Sequence, residues 1–215
     1  MDYFKPTLLI ISGPNGAGKS THIRAMLPAE FDNIISFDRD KTRTEFAKQL
    51  ADEGINSKHI SLRSTRMMED LLISEMKQAI ISKSHFVLET PLSHSDYWRY
   101  IDLFETNGYQ VQLNYLCLDT IGHCKARVAK RVLEGGHHVE PDTIRGVYEK
   151  NLEYINEYFK TFKVIELYDG MKVPLLLVRM EDNNVVYAIS QTLKKKWIKT
   201  GLPSISQDIQ SYFHT

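Results

Sequence analysis

Cysteine is nearly absent. The chain has two, Cys117 and Cys124, with six residues between them, which matches neither a CxxC redox pair nor paired zinc-ligand spacing. Both are expected to stay reduced, and 215 residues are enough to bury a core without disulfides or structural metal. Excess charge is absent too. Lys plus Arg equals Asp plus Glu at 27 each, so no overall positive field exists to hold a polyanion, and nucleic acid is not the expected partner. One local basic run, LKKKWIK (Leu193 to Lys199), reads as a solvated helix face. No apolar run approaches a bilayer's thickness, so no membrane contact is expected. The opening MDYFKPTLLIIS lacks the basic stretch, long apolar segment and cleavage site of a signal peptide, which makes the cytoplasm the expected address. Internal repeats, long linkers and low-complexity segments are also missing.

What is present begins with TLLIIS (Thr7 to Ser12), a continuous apolar run that reads as a strand buried on both faces. It runs into GPNGAGKST: Gly13, Pro14, Asn15, Gly16, Ala17, Gly18, Lys19, Ser20 and Thr21. A glycine-rich loop that follows a strand and opens a helix is built to wrap a phosphate chain. Its glycines let backbone amides turn inward, and the helix amino terminus adds a favourable dipole. Lys19 is expected to reach the β and γ phosphates, and Ser20 to ligate magnesium.

Downstream, strands and helices alternate. NIISFD (Asn33 to Asp38), HFVLET (His85 to Thr90) and YQVQLNYLCL read as strands. A helix after the loop is expected to run up to Pro28, and polar RDKTRTEFAKQLADEG to form another. A long amphipathic helix is expected over Ser61 to Ser84, and further ones over YWRYIDLFETNG, IGHCKARVAKRVLEG and the segment opened by Pro141. Later β-branched runs broken by DG and DNN read as strands near the sheet edge, and GLPSISQDIQSYFHT is ambiguous. The alternation specifies a doubly wound α/β sheet: the three-layer α/β/α sandwich of P-loop NTPases, mostly parallel with a helical lid, and with ligands at the carboxyl ends of its strands.

Among phosphate-loop classes, absences decide. There is no NKxD guanine-reading motif and no LSGGQ-like signature, and the chain is short for a ring ATPase. Small kinases remain, which need a base, a metal-holding acid and arginines over the phosphates. SFDRDKTR offers Asp40 as base, with Arg43 to hold it or the substrate. Equally, Asp38 can cap a helix and Asp40 be a first-turn acid. Glu89 ends an apolar strand where a carboxylate holds magnesium or orients substrate, and Thr90 and Ser93 can hydrogen-bond the acceptor. Arg127 and Arg131 lie four apart on one helix face, and Arg145 follows across LEGGHHVEP; the three can form a phosphate-clamping lid, or simply pair with surface acids. His137 and His138 lack metal-ligand spacing.

With the loop, SFDRDKTR, FVLETPLSH and RVAKRVLEGGHHVEPDTIRGVYEKNLEYI in this order, the chain resembles the zeta toxin family of phosphate-loop kinases from about Leu8 to Tyr158. The resemblance implies transfer of the γ-phosphoryl of ATP, with magnesium, to a small-molecule hydroxyl. In the family's toxin members that acceptor is UDP-N-acetylglucosamine. Lys19 and Ser20 match the family's phosphate loop, Asp40 its general base, and Glu89 and Thr90 its substrate and metal region; Arg131 and Arg145 fall near its phosphate-clamping arginines. An antitoxin that covers the ATP site is a family expectation as well. Two departures stand out: Pro91 where a second Thr is common, and YDGM (Tyr168 to Met171) where Asp-Asn-Ser often precedes the late hairpin. The expected organisation is a kinase domain over 1–192 with a lid at about 125–146, and a tail over 193–215 packed on the same domain. The alternatives are a polynucleotide or nucleoside kinase, and a nucleotide-binding interaction protein read by an antitoxin-like partner.

Overall fold

A computed structural model of the chain describes residues 1–136 and 138–214; His137 and Thr215 lie outside the described residues. Strand β1 (Thr7–Ser12) is buried along its whole length. Its side chains alternate between two cores: Leu8 and Ile10 join a large cluster on one face, Leu9 and Ile11 a smaller one on the other. That is how a continuous apolar run behaves inside a parallel sheet. β1 lies between β3 (Phe86–Glu89) and β4 (Gln110–Cys117) and is parallel to both. β2 (Phe37–Asp38) extends the sheet beyond β3, and β5 (Val164–Asp169) beyond β4, again in parallel. β6 (Leu175–Glu181) and β7 (Asn184–Ala188) add antiparallel. Among the described residues one sheet forms, in the order β2-β3-β1-β4-β5-β6-β7.

The other elements are helices α1 (Lys19–His22), α2 (Arg39–Asp52), α3 (Ser57–Ser82), α4 (Trp98–Thr106), α5 (Ile121–Leu133), α6 (Pro141–Tyr158), α7 (Lys196–Gly201) and α8 (Pro203–His214). They make the three-layer α/β/α sandwich with a mostly parallel sheet, but the layers are unequal. The large cluster takes Met68, Leu72 and Met76 from α3, Phe104 from α4, Val128 from α5 and Ile155 from α6. The opposite face is covered by Ala17, Met26, Phe31 and Tyr3, from the phosphate loop and short turns. A polar stripe runs beneath this thinner layer. Gln112 and Asn114 of β4 are fully buried; Tyr3 donates to Gln112 (2.7 Å), Gln112 to Asn114 (2.8 Å), and Asn114 to the Met26 carbonyl. These bonds satisfy the buried amides and tie the segment after α1 to the sheet.

Three elements differ from expectation. The helix after the loop lasts one turn, tightens to a 3-10 turn over Ile23–Met26, and gives way to extended Leu27 (φ −90°, ψ 137°). Leu27 precedes Pro28, and the residue before proline is driven out of the helical region. β2 is two residues long, not six: only Phe37 and Asp38 pair with β3, while Ile34 packs in the smaller core and Ile35 stays exposed. α3 begins at Ser57 because Asn56 caps it, accepting from the Lys58 amide at 3.0 Å. The ambiguous carboxyl-terminal stretch is α8, whose first turn is capped from α6 by Asn156 accepting from the Ser204 amide (2.8 Å). Trp197, Ile198, Leu202, Ile205 and Ile209 all belong to the large cluster. LKKKWIK is therefore no simple solvated face: two of its residues are core, and Lys195 is ion-paired.

Cys117 and Cys124 are free and buried, and burial pushes the Cys124 thiol up to about 11 and that of Cys117 higher still. Both are unreactive thiols at neutral pH. Among the described residues no helix is long and apolar enough to cross a membrane.

Candidate active site

β1 delivers the chain into the phosphate loop at the carboxyl end of the sheet, with β3 on one side and β4 on the other. Gly13, Gly16 and Gly18 have φ of 148°, 79° and 98°. The tightest point is Gly13, where a Cβ would lie 2.1 Å from the carbonyl oxygen of Leu116 on β4. Only glycine lets the loop leave β1 there. Lys19 donates from Nζ to the carbonyls of Gly13 (2.9 Å) and Pro14 (3.3 Å), so its ammonium is folded back over the loop.

The acids come from the neighbouring strands. Asp38 and Glu89 are register partners at the ends of β2 and β3. Ser20 Oγ lies 2.8 Å from Glu89 Oε1 and 3.2 Å from Asp38 Oδ2, and its single proton serves the shorter contact. Asp38 also caps α2, accepting from the Lys41 amide at 3.0 Å through Oδ1, which leaves Oδ2 facing Ser20. Asp40 sits in the first turn of α2 with its side chain 65% exposed, accepting from Arg43 Nη2 at 3.3 Å.

A cleft of about 600 Å³ joins these groups. It brings together Lys19, Ser20, Asp40, Glu89, Arg127 and Arg131, with Asn15, Gly16, Gly18 and Thr21 as its loop wall. Arg127 donates to the carbonyls of Ala17 (3.3 Å) and Met171 (2.8 Å), which ties α5 to the loop. Arg131 follows one turn later on α5, exposed and facing the same cleft. Arg43, Thr90, Ser93 and Arg145 are not in its lining. Arg43 reaches it through Asp40, and Arg145 is exposed near the start of α6. Thr90 is buried, accepting from Arg39 Nη1 (3.2 Å) and donating to the Pro91 carbonyl (3.3 Å). Ser93 is half-buried.

Sequence spacing misses the group that braces Thr90. Arg39, between the two aspartates of SFDRDKTR, is 11% exposed, lies 4.5 Å from the Tyr97 ring centroid and pairs with Glu69 of α3. Glu69 also accepts from Arg99 Nη2 (3.0 Å) and the Tyr100 hydroxyl (2.5 Å). Burial alone would push the Glu69 carboxyl up; the Tyr100 hydrogen bond and the Arg39 charge outweigh it and hold it below the usual range. Read along α3, Glu69 is one more polar residue on a helix, and nothing local points it at the site.

Glu89 behaves in the opposite way. Burial pushes its carboxyl up, Lys19 opposes, and Asp38 and Asp40 add to the rise, so it stands above the usual range. The folded chain thus holds this proton more tightly than the unfolded chain. The associated stability is full at low pH and is lost as pH rises through the raised value. Glu89→Gln is therefore expected to be more stable than wild type without metal or nucleotide, by a margin that grows between about pH 4 and pH 7. Urea midpoints across that range check it; a margin that is absent or shrinks with pH would be the contrary result.

Among the described residues no cluster of three or more His, Cys, Asp and Glu forms a ready metal cage. His138 contacts Glu140 (3.1 Å), and His137 lies outside the described residues. The oxygen set of Ser20, Asp38 and Glu89 does fit magnesium as phosphoryl-transfer sites hold it, with one or two carboxylates, waters and substrate phosphates completing the shell.

A family model described as Zeta toxin matches residues 2–192. A protein of Haemophilus influenzae described as uncharacterized is 26% identical over 144 residues, covering 63% of this chain and 88% of that protein. Among solved structures, the AvrRxo1-ORF1:AvrRxo1-ORF2 complex superposes with a TM-score of 0.68 in its form with sulphate ions and 0.66 in its form with ATP, at 16% and 17% identity. That match takes in 89% of this chain but only 63% of the solved chain's length. The PezAT chromosomal toxin-antitoxin system of Streptococcus pneumoniae superposes with a TM-score of 0.59 at 16% identity, over 96% of this chain and 87% of that one. At such identities the structural likeness is one of fold.

Proposed function

The chain belongs to the zeta toxin family and is an ATP-dependent phosphotransferase; on that premise we propose that it transfers the γ-phosphoryl of ATP to a hydroxyl of UDP-N-acetylglucosamine. The observation that carries the chemistry is the contrast between the two aspartates. Asp38, which also lines the cleft, has one oxygen committed to capping α2 and the other set against Ser20 at 3.2 Å, whereas Asp40 presents a 65% exposed carboxylate to the cleft that Lys19 and Glu89 line. A carboxylate so placed can take the proton of an attacking hydroxyl.

The remaining roles follow from position. The loop and Lys19 hold the phosphate chain, and Arg127 and Arg131 face the charge that spreads over the transferred group. Ser20 and Glu89, with Asp38 behind Ser20, would hold magnesium, which when bound neutralises charge on the β and γ phosphates. Arg43 and Lys41 put positive charge beside Asp40, which suits an anionic acceptor such as a nucleotide sugar. Thr90, braced by Arg39, sits on the same side. The likeness to the PezAT system supports an antitoxin-like protein as a partner of such a kinase.

ATP consumption and a phosphorylated sugar nucleotide are expected when purified protein, ATP, magnesium and UDP-N-acetylglucosamine are combined. If that acceptor is not phosphorylated while another hydroxyl compound is, the acceptor assignment falls and the phosphotransfer stands.

A further inference from the structure

The strand ends divide the site around the phosphate loop. On one side of β1, β3 and β2 end in Glu89 and Asp38 and lead to Asp40, the acceptor side. In-line transfer sets the leaving group opposite the attacking hydroxyl. That leaves the other side of β1, at the ends of β4 and β5, open to the nucleoside end of ATP. There the turn after β5, Asp169 to Lys172, meets the loop directly. Arg127 bridges the carbonyls of Ala17 (3.3 Å) and Met171 (2.8 Å). A Cβ on Gly170 would lie 3.0 Å from the Ala17 carbonyl oxygen, so the two backbones are closely apposed there.

This turn is fixed by a residue of the carboxyl-terminal segment. Lys195 stands just before α7, beyond residue 192, where the family match ends. Its Nζ is 2.6 Å from Asp169 Oδ2 and 2.9 Å from Asp119 Oδ1, and the side chain is only 16% exposed. The other oxygen of Asp169 accepts the Met171 amide at 3.0 Å. One ammonium thus joins the ends of β4 and β5 and, through Asp169, sets the carbonyl that Arg127 grips. Burial alone would push the Lys195 pKa down, but the hydrogen bonds to Asp169 and Asp119 outweigh it and keep the group charged. Without the ammonium, two partly buried carboxylates would face each other with no cation between them.

We propose that Lys195 is a positioning residue for ATP, holding the turn from Asp169 to Lys172 as the seat of the nucleoside end of the donor. This rests on the phosphotransferase reading, and the test separates the two. Binding of a non-hydrolysable ATP analogue is compared with binding of inorganic tripolyphosphate, which shares the phosphate end and lacks the nucleoside. The proteins are full-length wild type, Lys195→Ala, Lys195→Arg and, as a control, Lys163→Ala, whose surface pair with Asp182 lies at the opposite end of β5. Lys195→Ala is expected to bind the analogue about tenfold more weakly and tripolyphosphate within about twofold of wild type. Lys195→Arg should recover most of the loss, and the control should show none. In turnover, KM for ATP should rise while KM for the acceptor does not. Equal losses on both ligands, or no loss on the analogue, would overturn the role of Lys195. Failure of wild type to bind either ligand would overturn the ATP reading, and this inference with it.

Discussion

Asp40→Asn should lower kcat by about 10² to 10⁴-fold while ATP binding stays near wild type. Asparagine keeps the size and shape of the side chain but cannot take a proton. Asp38 offers no substitute, because one of its oxygens holds the Lys41 amide that starts α2 and the other faces Ser20. Moving Asp38 toward an acceptor would uncap the helix that carries Asp40, at a cost of about 1 kcal/mol. The substitution should leave stability within about 0.5 kcal/mol, since the Asp40 side chain is 65% exposed and its pair with Arg43 is a surface pair. Steady-state kcat, the Kd of a non-hydrolysable ATP analogue and a melting curve separate these effects. An unchanged kcat would take the base role away from Asp40; parallel loss of ATP binding and melting temperature would mean that its part is structural.

The parts of the fold legible in the sequence are those whose physics is local. Thr7 to Ser12 and Phe86 to Glu89 are short apolar runs ending at polar or glycine-rich turns, and both are buried strands. Pro141 opens α6 as a first-turn proline should. NIISFD has a strand's composition over six residues, yet only Phe37 and Asp38 find partners on β3, and Ile34 turns into the smaller core. The unequal helical layers were not legible either. Gln112 and Asn114 alternate with apolar residues as any half-exposed strand would, yet they are buried by hydrogen bonds to Tyr3 and Met26, distant in the chain.

The candidate site divides along the same line. Lys19 and Ser20 follow from spacing, because the loop's geometry is set within a few residues. Spacing offers Asp40 either as a base or as a first-turn acid beside a capping Asp38; the assembled site has Asp38 capping α2 and Asp40 exposed on the cleft, a placement that depends on β2 lying beside β3. Glu69, Asp119, Asp169 and Lys195 carry no local signal. Glu69 meets Arg39 thirty positions away, and Lys195 meets Asp119 seventy-six positions away. Such contacts exist only once the sheet and helices are assembled.

Lys19→Ala should reduce kcat/KM by about 10² to 10³-fold, the loss of one fixed cation aimed at the phosphates. Its position is tightly constrained: Nζ is held by the carbonyls of Gly13 and Pro14, and the backbone at Gly13 runs close against Leu116 of β4. Lys19→Arg should not rescue, since a planar guanidinium is too wide for a place shaped to a point charge. A second consequence separates this site charge from a generic loss of binding. Lys19 lowers the pKa of Glu89, so its removal lets burial and the nearby aspartates push that carboxyl further up. Residual magnesium-dependent activity in Lys19→Ala should then fall off on the acid side at a higher pH than in wild type, because Glu89 must be ionised to hold the metal. Adding Glu89→Gln should remove that acid limb and cost less than the product of the two single losses, as coupled neighbours do. Identical acid limbs in wild type and Lys19→Ala would show that the two groups act independently, and Glu89 would lose its place as the ionisable metal-side acid.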